Sequence, residues 1–284
     1  MVALSIMIEG QDGLTWPRWK RLVSEVESLG FTGLFRSDHF TNTHPPDKAS
    51  LEMIVSLTYL ADHTQRIHFG PLVSPISFRH PTLLARQAAA LDDLSNGRMI
   101  LGIGAGWQER EHTLFGHELG DIPTRMARFE EGLEVITRLL KSDAPVTFAG
   151  KFFQLRKATL LPRPQRAGGP EILIGGNGVK RTLPLVARYA SIWNGVFLSP
   201  DAFREHCTIL DGLLQQAGRK PSDVKRTMMH SATFGNDTLP APDMLIQQIK
   251  AYEEAGAEEL MLQWFDTDDI DGLRAFAGNV LHKL

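Results

Sequence analysis

His39 is the residue of this chain best suited to moving a proton, because an imidazole titrates near neutrality and Asp38 beside it can orient the ring or raise its pKa. The pair follows an apolar segment, so it sits where a strand hands over to a loop. The competing reading makes Ser37 and Asp38 turn residues and His39 an exposed loop side chain. A second chemistry is written in glycine. Gly102, Gly104 and Gly106 alternate in Gly102-Ile103-Gly104-Ala105-Gly106, which strips side chains from one face of a strand end and lets a flat ring approach the backbone. Tight packing inside a sheet would explain the same pattern. The run is not the dinucleotide fingerprint, since Trp107 occupies the third glycine's place. Gly175-Gly176-Asn177-Gly178 follows an apolar strand and precedes a helix, so its N–H groups form a candidate anion cradle with phosphate as the natural guest, or else an ordinary turn.

Other chemistries fail on spacing. Glu109, Glu111, His112 and His117 do not have the helical H-E-x-x-H arrangement, and the first strand ends in Met7-Ile8-Glu9 without the paired histidines of a barrel metallohydrolase, so no metal is expected. No G-x-S-x-G elbow is present. Trp193 and Trp264 stand at strand ends, and Trp264, directly after the last strand, is the better candidate for a pocket wall.

The elements that must position these residues are strands and helices in alternation. Apolar runs at 3–9, 31–36, 67–73, 99–103, 171–174, 191–194, 226–233 and 258–264 read as buried parallel strands. Amphipathic segments fill the gaps: one opening at Thr15-Trp16-Pro17 and closing at Gly30, then 51–63, 82–94, 125–140, a stretch within 180–189, 202–217, 242–255 and 270–282. The alternation predicts an α/β fold, a single (β/α)8 TIM barrel over 1–284, in which every strand-following loop opens on one face. The gap between the fourth and fifth strands is long, and is read as insertions after strand 4: a short helix within 107–116 and a hairpin over 145–155 turning at Ala149-Gly150.

A length of 284 residues with 43% hydrophobic and 22% charged residues suits one large barrel. The net charge of −3, with Lys and Arg scattered, argues against a nucleic-acid partner, and no run is long enough to span a membrane. The lone cysteine, Cys207, excludes an intrachain disulfide and reads as a buried filler in a cytoplasmic protein.

The segments together resemble the luciferase-like family of flavin-dependent monooxygenases and deazaflavin (coenzyme F420) dependent oxidoreductases. The collinear match runs from Ala3 to about Asn194 through Arg79-His80-Pro81, Leu84-Ala85-Arg86-Gln87, the run Leu91 to Arg98, Leu101 to Trp107, Glu111, Gly116, Arg125, Arg128, Glu131 and Pro162-Arg163-Pro164. The resemblance implies a TIM barrel whose C-terminal face holds a flavin or deazaflavin, usually in a homodimer. It assigns Asp38 and His39 to the reactive ring's surroundings. Leu72, Val73 and Ser74 fall where many members carry a non-prolyl cis peptide behind that ring, with Gly104, Ala105, Gly106 and Trp107 beside it. Gly175, Gly176, Asn177 and Gly178 match the phosphate-side loop, and Glu111 and Trp264 are read as substrate-pocket residues. One position departs: the deazaflavin sugar-phosphate dehydrogenases carry an acidic residue where this chain has Trp107, so their acid–base pair is not intact. The expected activity is F420-dependent hydride transfer to or from a small organic substrate, with Arg79, Arg163, Arg166, Lys180 and Arg181 as candidates for the cofactor's polyglutamate tail. The alternative is an FMN-dependent monooxygenase using O2 and served by a separate flavin reductase. A metal-dependent barrel hydrolase and a catalytically silent binding protein are readings from other classes.

Overall fold

The computed structural model describes residues 2–284. Parallel strands β1 (Ala3–Ile8), β2 (Gly33–Arg36), β3 (His68–Pro71), β4 (Ser74–Pro75) and β5 (Ile100–Gly104) alternate with helices α1 (Trp16–Leu29), α2 (Met53–His63) and α3 (Pro81–Leu94). After β5 come α4 (Glu109–Phe115), α5 (Ile122–Lys141) and the hairpin β6 (Val146–Ala149) and β7 (Gln154–Ala158). The chain then runs through β8 (Glu171–Gly175), α6 (Thr182–Tyr189), β9 (Ile192–Val196), α7 (Pro200–Gln216), β10 (Lys225–Ser231), α8 (Pro242–Glu254), β11 (Glu259–Gln263) and α9 (Ile270–Asn279). Among the described residues no helix is long and apolar enough to cross a membrane.

The main sheet has the order β3-β2-β1-β11-β10-β9-β8-β5-β4, and a parallel bridge between Phe69 and Met99 brings β3 back to the start of β5. The sheet therefore closes on itself as a TIM barrel. The expected third strand, 67–73, is two pieces: β3 pairs with β2, β4 pairs with β5, and the peptide between Leu72 and Val73 is cis. Side chains alternate along each strand. One set, Met7, Phe35, Leu72, Ile100, Leu173, Ile192 and Met261, fills the barrel interior, while the other packs outward against the helices.

Closure is possible because two glycines face backbone. A Cβ on Gly70 would lie 1.9 Å from the carbonyl oxygen of Ile100, and one on Gly102 would lie 1.9 Å from that of Pro71. The buried Arg98 locks the same corner from outside. All five of its N–H donors are used, on the carbonyls of Ala61, Thr64, Ile67 and Ser95 and on the Thr64 hydroxyl, at 2.7 to 2.9 Å. One side chain thus satisfies the C-terminal carbonyls of α2 and ties that helix to the strands on either side.

The insertions differ in detail from expectation. α5 starts at Ile122 instead of 125 because Asp121 caps it, accepting from the Thr124 N–H at 2.8 Å with a proline in the first turn. The hairpin turn spans 150–153 instead of two residues, since the Glu131 carboxylate gathers the N–H groups of Lys151, Phe152 and Phe153.

Gly70→Ala and Gly102→Ala should each destabilise the fold by about 1–3 kcal/mol or more in urea unfolding, the range for forced overpacking. Gly278→Ala is the control: it lies in α9 with nothing within 4 Å of the added Cβ, and should be neutral or stabilising by up to ~1 kcal/mol.

Candidate active site

A cavity of about 430 Å³ opens at the C-terminal end of the barrel, within the range of small-ligand sites. Nearly every barrel strand delivers a residue to it at or just beyond its C-terminal end: Glu9 after β1, Ser37 and His39 after β2, Leu72 and Val73 after β3, Gly104 to Trp107 after β5, Gly175 and Gly176 at β8, Val196 and Phe197 at β9, Met229 on β10 and Gln263 on β11. Glu111 reaches in from α4, and Met126 and Phe129 from α5.

Two walls differ in chemistry. On the strand-3 to strand-5 side the wall is glycine and aliphatic. The Val73 side chain lies across the glycines: a Cβ on Gly104 would approach its Cγ2 to 2.7 Å, and Cβ atoms on Gly102 and Gly175 its Cγ1 to 3.2 and 3.3 Å. Glycine at these positions makes room for the Val73 side chain, which together with them forms this part of the wall. Among the described residues the backbone N–H groups of 177–180 have no protein acceptor, whereas the N–H of Gly176 donates to the Asn194 carbonyl at 2.9 Å. These free N–H groups lie after Gly176, between it and Thr182, both of which line the cavity.

The ionisable groups come from the loops after β1 and β2 and from α4. His39 Nδ1 is 2.7 Å from Glu111 Oε1, and the Phe40 N–H donates to Glu111 Oε2 at 2.9 Å. Glu111 is only 1% exposed, so it is a buried acceptor and the imidazole must present N–H to it from Nδ1. Nε2 is the ring nitrogen left for a ligand. Burial by itself would lower the His39 pKa, but the hydrogen bond and charge of Glu111, with smaller contributions from Glu9 and Asp38, hold it above the ordinary 6.5. Trp107 packs edge-on against His39, ring centres 5.5 Å apart, and is itself 61% exposed at the rim.

Asp38 does not orient His39. Its carboxylate turns the other way, accepting from the Ser74 hydroxyl at 2.7 Å and pairing with Arg79, which also bonds Glu52 at 2.6 Å. Glu52 in turn caps α2. Asp38 and Ser74 thus brace the loop from behind the cavity and do not line it. Asn177 and Gly178 are also off the wall: the Asn177 amide bridges the N–H and carbonyl of Val196, and the Gly178 carbonyl accepts from the first turn of α6. Trp264 packs into the core against Phe276. His112 is held by Ser77 and the Gln108 carbonyl.

The arginines expected to meet an anionic tail are mostly engaged elsewhere. Arg163 caps the carbonyls of Leu139 and Leu140, Arg166 pairs with the buried Asp92, and Arg79 serves Asp38. Lys180 and Arg181 remain exposed beside the Gly176 loop. Sequence reasoning missed Glu9 as a wall residue, although it stands at a strand end by the rule that singled out His39 and that also reaches Gln263. Met126 and Phe129 come from an inserted helix that no strand-end rule reaches.

Comparison with known proteins agrees with this architecture. An F420-dependent glucose-6-phosphate dehydrogenase of Amycolatopsis mediterranei is 32% identical over 166 residues, 58% of this chain and 47% of the relative. A 4-hydroxyprotoasukamycin monooxygenase of Streptomyces nodosus is 34% identical over 161 residues, 56% of this chain and 42% of the relative. Both alignments thus span less than half of the relative. Among solved structures, an F420-dependent secondary alcohol dehydrogenase in complex with an F420-acetone adduct superposes with a TM-score of 0.84 at 19% identity, covering 99% of this chain and 98% of that one. The family model for luciferase-like monooxygenases matches residues 6–269, and the chain belongs to that family.

Proposed function

We propose that this protein is a coenzyme F420-dependent oxidoreductase that moves a hydride to or from a small organic substrate, with His39 as the proton-handling residue. The observation that carries the reading is one cavity that joins a wall of Val73 and the glycines of β5 and β8 to an imidazole held by a buried carboxylate. The glycine wall fits a flat heterocycle: Gly104 and Gly175, with Val73 across them, would hold its face, and the amides of 177–180 with Thr182 would hold its phosphate. Lys180 and Arg181 are the cations positioned for an anionic tail. A bound deazaflavin supplies a carbon centre that exchanges hydride.

The chain's own contribution is proton management and positioning. Nε2 of His39 takes the proton from a substrate hydroxyl during oxidation and returns it to the oxygen during reduction. Glu111 fixes the ring and stabilises the imidazolium so formed. The largely aliphatic cavity, with Trp107 over its rim, limits water around that exchange. The family reading extends to a cytoplasmic homodimer. Its second member, an FMN-dependent monooxygenase with a separate flavin reductase, is favoured by the identity to the Streptomyces monooxygenase.

Fluorescence titration with both cofactors decides between these: F420 should bind more tightly than FMN. Tight FMN binding without measurable F420 affinity would transfer the protein to the monooxygenase branch. Once a substrate is in hand, His39→Ala should lower turnover by ~10²-fold or more, as for loss of a general acid–base group. The oxidation rate needs neutral His39, so it should rise with pH through an inflection above 6.5. In Glu111→Gln burial is no longer outweighed, and the inflection should move to lower pH along with a reduced rate. An inflection unmoved by Glu111→Gln would remove His39 from the proton path.

A further inference from the structure

The cavity carries a second carboxylate that makes no hydrogen bond to His39. Glu9 leaves the end of β1 and lines the cavity on the ionisable side, among the ends of β1, β2 and β11. Neutral amides hold it. Gln263 Nε2 donates to Oε1 at 2.6 Å and Gln11 Nε2 donates to Oε2 at 2.9 Å. Gln11 is fixed in turn, its carbonyl oxygen accepting from the Ser37 hydroxyl at 2.7 Å while that hydroxyl accepts from the Gly10 N–H at 2.9 Å. Each carboxylate oxygen therefore has one donor and retains accepting capacity. No ion pair to Lys, Arg or His is formed by Glu9 among the described residues, and none of the described residues lining the cavity is Lys or Arg. The neighbouring Arg36, 1% exposed, bonds the Ser37 carbonyl and the Ser56 hydroxyl and acts on Glu9 only through longer-range charge, without an ion pair.

We infer that Glu9 is a specificity-determining residue, accepting a hydrogen bond from a hydroxyl or protonated amine of the substrate and keeping anionic substrates out of the cavity. The inference rests on the cofactor reading above only in leaving the space beside Glu9 to the substrate. Physically it follows from the imbalance of charge. A carboxylate held by amides in a largely aliphatic pocket repels a second anion at short range, where solvent screens poorly. It attracts a donor, and a hydrogen bond to a charged group is among the stronger ones available. Lactates, sugar phosphates and other acids are thereby disfavoured, and small alcohols, polyols and amino alcohols favoured.

The test is ligand-observed NMR on the protein with and without F420, using 1-amino-2-propanol, propane-1,2-diol, lactate and glucose 6-phosphate as probes. F420 fluorescence in the same samples reports whether the cofactor itself is bound, so failure of the cofactor reading is visible separately. The amino alcohol and the diol should bind, and the two anions should bind at least ~10-fold more weakly, the factor that corresponds to the lower end of a charge-assisted hydrogen bond. Tighter binding of the amino alcohol identifies charge as the recognised feature, and parity identifies the hydroxyl; both support the assignment. Glu9→Gln, which keeps size and polarity, should erase the discrimination against lactate while leaving F420 affinity unchanged. Gln263→Met, which loosens the carboxylate without removing its charge, should weaken the diol yet still reject lactate. Anions binding as well as the diol to the unmodified protein, or a probe ranking unchanged in Glu9→Gln, would overturn the inference.

Discussion

The backbones of β3 and β5 meet with no side chain between them at Gly70 and Gly102, and the architecture of the site follows from that contact. A parallel sheet with helices on its outer face must close or leave two edges. Here the last closure runs through a strand that breaks between Pro71 and Ser74, so its first half pairs with β2 and its second with β5. The break carries Val73 across the glycines of β5 and β8. A glycine pattern that serves packing lower in the strand becomes, two residues further on, part of a wall of the cavity.

Around His39 the electrostatics are set by burial. Glu111, almost without solvent contact, has its two oxygens committed to His39 and to the Phe40 N–H. A carboxylate in that position favours the imidazolium, and it outweighs the desolvation that would favour the neutral ring. Asp38, although adjacent in sequence, is spent on Arg79 and Ser74, and through Arg79 and Glu52 on the start of α2. The loop bearing His39 is thus fixed from both sides, by an ion-pair network behind the wall and by Glu111 within it.

Much of the barrel was legible because buried parallel strands are apolar throughout and because caps and glycines punctuate them: Thr15 with Pro17, Gly30 and Gly256 fall at observed element ends. The split of 67–73 was legible only in part, since Leu72 and Val73 continue an apolar run; what pointed to it were Pro71 and Pro75 on either side and the family resemblance. The site was legible to the extent that it lies at strand ends. His39, Leu72, Val73, Gly104 to Trp107, Gly175 and Gly176 line the cavity together with Glu111. Asp38 was misjudged because sequence adjacency suggests contact, whereas neighbours in extended chain point to opposite sides. The arginines were equally opaque: a sequence shows a guanidinium's charge, and only the fold shows that Arg163 ends on helix carbonyls and Arg166 on Asp92.

The central claim is that the glycine wall and the His39–Glu111 pair border one cofactor. A crystal structure of the protein grown with F420 tests it most directly. The account predicts the tricyclic ring lying on Val73 and Gly104, its phosphate at 177–182, and His39 Nε2 facing the space beside its reactive edge. A ring bound outside this cavity, or one that leaves His39 Nε2 turned from the reacting centre, would contradict it.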